Sequence, residues 1–356
     1  MKILIALEGR LNQGPNIGTK NLYDELNKRN NTSNKNQISL VETTKLKSVI
    51  HTILQINTYD IFHFYSESPG AVFFFLLFKI LGKKIVYTVH GNFFIEAKDK
   101  HWPINLLWTP SHLFVIKNVN AVIFPSHYLR DQINQNIKNK KKSELKNAYV
   151  ITNGIHIQEY PEKLITKKIT RIKEIKNGKK TLHLLSITSF VFKLKTKGVD
   201  LLIHVNDILK KKGIQAELKI GGIGPKLDTY KNKYQNDQIK FLGYCDNKQE
   251  NEWADIFLHL TFLDNLPFVI LNAQGMGIPT IASDVGGIPE IYTTSTNKEI
   301  WGLTSNDPEQ IANKIIELIQ KENYYDEVSK QQYHNIKDYF NLEKTSKQLW
   351  NLYLNL

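Results

Sequence analysis

The sequence predicts an α/β protein of two domains, each built on a doubly wound parallel sheet. The chain has 356 residues, which is enough for two buried cores of ordinary size. Short apolar runs alternate with helix-length segments in the first half, and the same alternation starts again after a charged stretch at residues 160–180. Two similar halves of this kind also predict a ligand-binding cleft between two facing domains.

The apolar runs of the first half have the length and the aromatic or β-branched content of buried strands. They are KILIAL, DIFHFY, KKIVYTVH, AVIFPS and AYVITNG. Strands that alternate with helices form parallel sheets, because each crossover helix returns the chain to the same end. The charged stretch from Tyr160 to Lys180 interrupts the alternation, so we expect the domain boundary there.

A second series of apolar runs follows the charged stretch. It consists of LHLLSITS, AELKIGG, IKFLG, DIFLHLT and PTIAS. Between the first two lies GVDLLIHVNDILKKKG, whose leucine and valine spacing is typical of an amphipathic helix. Ligands of open α/β sheets bind beyond the carboxyl ends of the strands, so the turns after these runs are the candidate sites.

Cysteine content and hydropathy exclude several classes of protein. Cys245 is the single cysteine, so neither an intramolecular disulfide nor a cysteine-rich zinc site is expected, and a reducing cytoplasm is the simplest location. The opening MKILIALEGR has too few apolar residues for a secretory signal and predicts a buried strand. The longest apolar run, AVFFFLLF, is far shorter than the roughly 20 residues that a transmembrane helix needs.

The formal net charge is +13, and residues 131–180 alone hold 13 Lys and Arg against 5 Asp and Glu. Two interpretations stay open. The stretch is either a solvated lysine-rich surface or a site that attracts an anionic partner, such as a membrane surface or a polyanionic acceptor. Nucleic acid is not expected as a partner, because the basic runs KNKKK and KKITRIKEIKNGKK lack interleaved aromatic residues.

Two strand ends of the first half carry candidate ligand-binding residues. In EGRLNQGPNIGTKNLYDEL, Gly18 is followed by a predicted helix whose free N–H groups suit an anion. The pattern is neither a P-loop nor a strict G-x-G-x-x-G, and an ordinary strand-turn-helix unit produces it as well. In YTVHGNF, His90 ends a strand just before Gly91, which favours a functional histidine. His63 in IFHFYSESPG is a similar candidate.

Lysines and glycines mark two turns of the second half. KLKTKGVDLLI places Lys193, Lys195 and Lys197 just ahead of Gly198 and a predicted helix. Lysine at a helix N-terminus opposes the helix dipole, so either an anion binds there or the side chains extend into solvent. IGGIGP, which contains Gly224, is a tight turn after a strand and is open to a ligand.

The stretch DNLPFVILNAQGMGIPTIASDVGGIPEI places Asp264 and Asn272 eight residues apart. Pro267 suits the first turn of a helix, and Asp264 and Asn265 are placed to cap it. The positive end of that helix would face whatever lies near Asn265 and Leu266. A phosphate group is the expected occupant.

Taken together and in this order, these motifs resemble the GT-B glycosyltransferases, and within them the retaining nucleotide-sugar enzymes of glycosyltransferase family four. The resemblance covers nearly the whole chain. It implies Rossmann-like domains at residues 1–163, on the acceptor side, and 164–335, on the donor side, facing a central cleft. It also implies a C-terminal helix, residues 336–356, that returns to the N-terminal domain. The segments that carry it are IGTKNLYDEL, YTVHG, PSHYLR, VITNGI, TKGVDLLI, IGGIGP, FLGY, DNLPFVILNAQGMGIPTIASDVGGIPEI and FNLEKTSKQLWNLY.

The resemblance implies a role for each matching residue. Lys197 would neutralise the departing diphosphate, His90 would lie beside the reacting sugar, and Asp264 would bind a sugar hydroxyl. These three are the implied catalytic residues. The implied donor-binding residues are Gly18, Lys193, Lys195, Gly224, Tyr244, Asn265, Leu266 and Asn272. The implied acceptor-binding residues are His63, Gly91 and Asn92.

The sequence departs from the family pattern at three positions. The family's arginine is expected near Ser189 and is absent there, so Lys193 or Lys195 is expected to replace it. The first acid of the E-x7-E motif is Asp264, which is one methylene shorter. The second is Asn272, which can still bind ribose hydroxyls but loses a charge-assisted bond, a difference of about 1 kcal/mol.

The resemblance thus implies a retaining, metal-independent transferase of hexosyl or N-acetylhexosaminyl groups. The donor would be a nucleotide sugar, UDP-linked, acting as substrate, with no cofactor and no metal. The expected acceptor is a lipid-linked or polymeric glycan of the cell surface. We expect a cytoplasmic protein, peripheral on the inner face of the membrane, with an anionic membrane surface as a partner.

Two other functions stay open at this point. The missing arginine and Asn272 favour a catalytically weakened GT-B protein that binds a glycan or stabilises a partner glycosyltransferase. A sugar-nucleotide epimerase on the same fold is the other alternative, although the sequence shows no clear acid-base pattern for it.

Overall fold

The computed structural model describes residues 1–7, 14–30, 37–42, 45–65, 69–99, 104–141, 145–293, 296 and 298–356. These residues form two compact units, Met1–His156 with Phe340–Leu356, and Ile157–Tyr339. We call them unit 1 and unit 2. Within the described part of the chain, each unit contains one six-stranded sheet, and every neighbouring strand pair is parallel. The predicted α/β class with two Rossmann-like sheets is confirmed.

The sheet of unit 1 has the strand order β2-β1-β3-β4-β5-β6. After β1 the chain forms β2 at one edge of the sheet, and it then crosses to the other side of β1 to form β3 to β6. The strand order therefore reverses between β1 and β3. That reversal is where doubly wound sheets bind ligands. The strands are β1 (Lys2–Leu7), β2 (Gln37–Glu42), β3 (Ile61–Phe64), β4 (Lys84–Thr88), β5 (Ala121–Phe124) and β6 (Ala148–Val150).

Six helices of unit 1 connect these strands within the described residues. They are α1 (Gly14–Asn30), α2 (Leu46–Leu54), α3 (Pro69–Ile80), α4 (Phe93–Glu96), α5 (Ile104–Asn118) and α6 (His127–Lys141), with short 3-10 turns at Ile56–Thr58 and Ala97–Asp99. Alternate strand residues point to opposite faces of the sheet. Leu4 and Phe62 pack with α3, α5 and α6 on one face, whereas Ile3 and Ile61 pack with α1 on the other.

The sheet of unit 2 has the order β12-β11-β10-β7-β8-β9, which reverses between β7 and β10. Its strands are β7 (Leu182–Ile187), β8 (Ala216–Gly221), β9 (Ile239–Gly243), β10 (Ile256–His259), β11 (Thr280–Ser283) and β12 (Leu303–Thr304). Its helices are α7 (Glu162–Lys176), α8 (Lys193–Lys211), α9 (Leu227–Tyr234), α10 (Asn247–Trp253), α11 (Phe268–Gly275), α12 (Pro308–Gln320) and α13 (Tyr324–Tyr339), with a 3-10 turn at Ile288–Tyr292.

The last helix, α14 (Leu342–Leu354), belongs to unit 1, as the resemblance implied. It packs beside α1, where Arg29 donates from Nε to the Ser346 hydroxyl at 2.7 Å and from the guanidinium to the Glu343 carboxylate at 3.0 Å. The chain crosses between the units at 156/157 and 339/340, close to the expected crossings at 163/164 and 335/336.

Most of the charged stretch at 160–180 forms α7 of unit 2, and the boundary between the units, at 156/157, lies just before the stretch in which we expected it. In α7 the isoleucines fall at helical spacing, and Ile165, Ile172 and Ile175 are buried. Arg171 in the same helix binds the fully buried carboxylate of Asp255 through Nε at 3.0 and 2.9 Å. The high lysine content hid the apolar face of this helix from a pattern search.

The apolar run AVFFFLLF lies in α3, with Phe74, Phe75 and Phe78 completely buried against the sheet. α3 has 12 residues, so it is much shorter than a membrane span. Among the described helices, none combines the length and the hydropathy that crossing a bilayer requires.

Candidate active site

The order reversal of unit 2 brings a lysine and an aspartate together. β7 and β10 are neighbours in the sheet, α8 follows the first of them, and residues 260–267 lead from the second into α11. Lys195, in the first turn of α8, places its Nζ 2.9 Å from Oδ2 of Asp264. Two residues that are 69 positions apart thus meet at the edge where a ligand of this fold binds.

Asp264 is held by three donors. Its Oδ2 faces both Lys195 and Nε2 of His259, the latter at 3.1 Å, and its Oδ1 accepts from the Asn265 N–H at 3.0 Å. Burial alone would raise the pKa of this carboxyl, but Lys195 and His259 together hold it well below its usual range. A carboxylate oxygen accepts about two hydrogen bonds, so Oδ1, which accepts one from the described residues, has the capacity for a second.

Lys197 is exposed and extends over the surface. Its Nζ lies 5.9 Å from the centre of the Phe262 ring, and no carboxylate among the described residues forms an ion pair with it. Lys193, the first residue of α8, is exposed as well. The lysines therefore lie within the first turns of α8, whereas the sequence predicted them just before the helix.

Two glycines of this region are required by close backbone packing. A Cβ at Gly198 would lie 1.7 Å from the Leu260 carbonyl oxygen, and one at Gly286 would lie 1.8 Å from the Asp264 carbonyl oxygen. Gly286 also has φ +64°, which disfavours side-chain-bearing residues. Because these glycines have no Cβ, α8 and the turn after β11 can pack directly against the segment that carries Asp264.

The start of α11 differs from the sequence reading. Pro267 is the N-cap and no side chain caps the helix, so the predicted capping by Asp264 and Asn265 is wrong. The N–H of Asn265 is already bonded to the Asp264 carboxylate, and Leu266 is buried. Asn272 lies in α11 and is half-buried. Their implied contacts with a donor stay predictions.

The remaining donor-side residues lie after β8 and β9. Gly224 has φ +148°, and a Cβ there would lie 2.5 Å from the carbonyl carbon of Phe190, so this turn packs against the loop after β7. Tyr244 directly follows β9, and its side chain is exposed. Its implied contact with a donor stays a prediction.

In unit 1, stacked aromatic rings connect His90 to the buried polar contacts of His63. The ring nitrogens of His63 face the Tyr353 hydroxyl at 2.5 Å and the Thr88 hydroxyl at 2.8 Å. The His63 ring stacks on Tyr65 at 4.3 Å, and Tyr65 stacks on His90 at 5.7 Å. His63 is 0% exposed. Direct contact between His63 and an acceptor, as the resemblance implied, would require one of its two bonds to be exchanged.

Burial keeps both histidines neutral at physiological pH. It lowers the pKa of His90 to about 4, and burial together with the neighbouring His90 lowers the pKa of His63 to about 3. The unfolded chain binds these protons near pH 6.5. The contribution of each neutral histidine to the free energy of unfolding is therefore fully present above that pH and decreases as the pH falls towards 4. The decrease is at most about 1.4 kcal/mol per pH unit for each histidine.

We expect the ring resonances of His63 to stay constant between pH 8 and about 5 because the buried ring stays neutral. Proton NMR of the full chain, with His63→Gln to assign the signals, measures this. His156→Gln, at an exposed position, is the matched control. A His63 titration midpoint near 6.5 would contradict the buried, neutral ring.

The other predicted residues of unit 1 are placed as follows. Gly91 lies under the Glu96 side chain, since a Cβ there would be 1.9 Å from Oε1 of Glu96. Asn92 is buried and caps α4 by accepting from the Phe94 N–H at 3.2 Å. Gly18 is buried within α1, which begins four residues earlier at Gly14. The expectation that the helix follows Gly18 is wrong, and any free N–H groups belong to the turn from Gly14.

Sequence reasoning missed two residues of these sites. His259 is the last residue of β10 and contacts Asp264, and Tyr65 directly follows β3 and stacks on His90. Both occupy the strand-end position that drew attention to His90. Applying that criterion to every strand would have found them.

Comparisons with known proteins agree with this architecture. The family model "Glycosyltransferase Family 4" matches residues 19–159, and "Glycosyl transferases group 1" matches residues 182–321, so each falls on one of the two sheets. The chain is 25% identical over 321 residues to N-acetyl-alpha-D-glucosaminyl L-malate synthase of Bacillus anthracis, covering 87% of this chain and 78% of that protein. It is 27% identical over 269 residues to the phosphatidylinositol N-acetylglucosaminyltransferase gpi3 subunit of Schizosaccharomyces pombe, covering 72% and 53%.

Among solved structures, Anabaena HepE in complex with UDP and glucose superposes with a TM-score of 0.71 at 17% identity, covering 100% of both chains. Two Rossmann-like sheets with a returning C-terminal helix are the architecture of the GT-B glycosyltransferases. Within that class, the matches over both sheets place the chain in the family 4 type. The chain is a GT-B glycosyltransferase of family 4.

Proposed function

We propose that this glycosyltransferase is a retaining enzyme that moves a sugar from a nucleotide diphosphate sugar, UDP-linked, to a hydroxyl group of a glycan acceptor. The observation that carries the proposal is the lysine-rich start of α8 beside the Lys195–Asp264 pair. Lys197, which has no ion-pair partner among the described residues, suits the charge that grows on a departing diphosphate. Asp264 keeps an acceptor position that suits a sugar hydroxyl.

In the proposed reaction, the bond between the sugar C1 and the diphosphate oxygen breaks while a bond from C1 to the acceptor oxygen forms on the same face. The acceptor proton passes to the departing phosphate oxygen. Lys195 keeps Asp264 ionised and oriented, and Lys197 stabilises the diphosphate. His90 beside the reacting sugar remains part of the proposal.

The names of the relatives support a transferred hexosaminyl group and an α-linked product. One is an N-acetyl-alpha-D-glucosaminyl L-malate synthase and the other a phosphatidylinositol N-acetylglucosaminyltransferase subunit. An α-linked product is what a retaining enzyme makes from an α-linked donor. We extend to this chain the transfer of a hexosyl or N-acetylhexosaminyl group.

We also propose that transfer is independent of metal ions. Lysine ammonium groups supply the positive charge that a divalent ion supplies in other transferases. In the described ranges, no three His, Cys, Asp or Glu side chains converge in the manner of metal ligands. Addition of EDTA should therefore leave the rate unchanged.

We propose a lipid-linked or cell-surface glycan as acceptor, with the protein in the cytoplasm and peripheral on the inner face of the membrane. The net charge of +13 supports attraction to an anionic surface. The phosphatidylinositol in the name of the Schizosaccharomyces relative supports a lipid acceptor.

The test is turnover of a panel of UDP-, GDP- and ADP-sugars with lipid and soluble hydroxyl acceptors, each with and without EDTA. We expect one donor to be consumed and the anomeric proton of the product, seen by NMR, to match the configuration of the donor. A product of inverted configuration would overturn the retaining mechanism, and loss of turnover in EDTA would overturn metal independence.

Asn272 and the residues around Ser189, which include no arginine, favour a second candidate. In it the chain binds a donor or a glycan without turnover and stabilises another glycosyltransferase. The same panel separates the two functions, because thermal stabilisation by a nucleotide sugar without its consumption would support the second candidate and contradict the first.

A further inference from the structure

His259 contacts Asp264 through only one nitrogen of its ring. It is the last residue of β10 and is 3% exposed, and its Nε2 lies 3.1 Å from Oδ2 of Asp264. The other ring nitrogen, Nδ1, is buried and has no hydrogen-bond partner among the described residues. Burial of an unpaired polar nitrogen costs free energy, so such a group in a folded protein calls for an explanation. The stability of the fold alone does not provide one.

The backbone that carries Asp264 is held in place by residues other than His259. The side-chain amide of Asn306 donates to the Thr261 carbonyl at 2.9 Å. The Gly287 N–H donates to the Asp264 carbonyl at 3.3 Å. These two contacts stabilise the chain between β10 and Asp264, whereas the contact from His259 acts on the carboxylate at the end of the side chain.

The two carboxylate oxygens of Asp264 differ in how many donors they face. Oδ2 faces Nζ of Lys195 at 2.9 Å and Nε2 of His259 at 3.1 Å, which fills the roughly two acceptor positions of such an oxygen. Oδ1 accepts one bond within the described part of the chain, from the Asn265 N–H at 3.0 Å. The torsion that rotates a carboxylate is broad and nearly two-fold, so Lys195 alone would leave both oxygens with capacity for a ligand. The second donor on Oδ2 makes the two oxygens unequal.

The contact also determines which nitrogen of His259 carries a proton. The pKa of Asp264 is held well below its usual range by Lys195 and His259, so the carboxylate is ionised and can only accept hydrogen bonds. Nε2 must therefore be the donor. Because Nε2 is bonded to Asp264 and Nδ1 is buried, His259 has no ring nitrogen with which to exchange a proton with a substrate. It is not placed to act as a general acid or base.

We propose that His259 is a positioning residue for the donor sugar. By donating from Nε2 to Oδ2 of Asp264, it leaves Oδ1 as the oxygen that accepts a hydrogen bond from a sugar hydroxyl. The proposal rests on the proposed function, in which Asp264 binds the sugar of the donor. It assigns to His259 an effect on the sugar and none on the nucleotide.

The experiment compares two amide substitutions at the same buried position. The amide nitrogen of glutamine is as many bonds from Cβ as Nε2 of histidine is, so His259→Gln keeps a donor that reaches Asp264. The amide nitrogen of asparagine is one bond closer to Cβ, so His259→Asn does not. Both variants bury an amide, and each is therefore the control for the other in any general loss of stability.

Calorimetry of the full chain measures the affinity for UDP and for UDP-N-acetylglucosamine, or for the nucleotide and nucleotide sugar that the donor panel identifies. We expect His259→Gln to bind both ligands as the wild type does. His259→Asn should bind the nucleotide within twofold of the wild type but the nucleotide sugar about tenfold more weakly, because the hydroxyl loses an oriented charged acceptor.

Two results of the calorimetry would overturn the inference. One is equal affinity of the two variants for the nucleotide sugar. The other is an equal loss of affinity for the nucleotide and the nucleotide sugar in His259→Asn, which would show a general disturbance of unit 2. Neither result would affect the proposed function, which fails only if the wild type consumes no nucleotide sugar of the panel.

Nitrogen NMR of the wild type tests the geometry without any ligand. We expect the His259 ring to carry its proton on Nε2, and Asp264→Asn should shift the Nε2–H signal. Asp284→Asn, at an exposed position after β11, should leave the signal unchanged. An Nε2 without a proton, or a signal that does not respond to Asp264→Asn, would overturn the inference even if the proposed function holds.

Discussion

Lys197→Ala is expected to lower kcat for sugar transfer by about 10² to 10³-fold, the cost of removing one group that stabilises developing charge. Its ammonium has no ion-pair partner among the described residues and stands near the start of α8. The Lys195 ammonium forms an ion pair with the Asp264 carboxylate at 2.9 Å, which offsets part of its charge. In the proposed mechanism, we therefore expect Lys197 to supply most of the positive charge that stabilises a departing diphosphate.

The measurement is steady-state kinetics with a saturating donor, which separates kcat from KM. Lys210→Ala is the matched control, because Lys210 lies in the last turn of the same helix and is exposed. The control should change kcat less than twofold, a difference within the usual range of surface substitutions. Similar kcat values for the two variants would remove Lys197 from the proposed mechanism.

Asp264→Asn is expected to lower both the stability of unit 2 and the use of the donor. The substitution leaves the Lys195 ammonium and the Nε2–H of His259 facing an uncharged amide, at side chains 23% and 4% exposed. Loss of a charged partner at such a partly buried site costs about 1–3 kcal/mol. Loss of the charged bond to a sugar hydroxyl should lower kcat/KM by about 10-fold or more.

Thermal unfolding and donor kinetics measure these two effects, and Asp284→Asn, at an exposed position after β11, is the control. The Asp264 pKa is depressed in the folded state, so its stabilising contribution is present above the ordinary carboxyl pKa and is lost as the pH falls below it. The carboxylate stays ionised across the neutral range. A wild-type melting temperature in Asp264→Asn would show that the Lys195–Asp264 pair contributes nothing to stability.

Ten strands were predictable because buried parallel strands appear in a sequence as short apolar runs. The two strands that the sequence did not predict, β2 and β12, each lie at one edge of a sheet, whereas the strands at the other two edges, β6 and β9, were predicted. An edge strand buries fewer side chains, so QISLVE mixes polar with apolar residues, and β12 has only two residues. These two strands were missed because one mixes polar with apolar residues and the other is very short, and not because of their edge position alone.

The sequence indicated which residues belong to the candidate site, but it did not indicate which of them contact one another. Motif order identified Asp264 and the three lysines, and strand ends identified His90. The pairing of Asp264 with Lys195 depends on the start of α8 at Lys193, and Gly198 had suggested a later start. Glycine ordinarily disfavours a helix interior, but here the Leu260 carbonyl occupies the space that a Cβ would need. Such tertiary contacts leave no local pattern.

The return of α14 to unit 1 has a consequence for biosynthesis. Leu349, Leu352 and Tyr353 complete the core on one face of the first sheet, and the Tyr353 hydroxyl closes the contacts around His63. During translation, all of unit 2 is made before these residues emerge from the ribosome. The domain that is synthesised first is therefore completed last, and until then one face of its sheet lacks the cover that α14 provides.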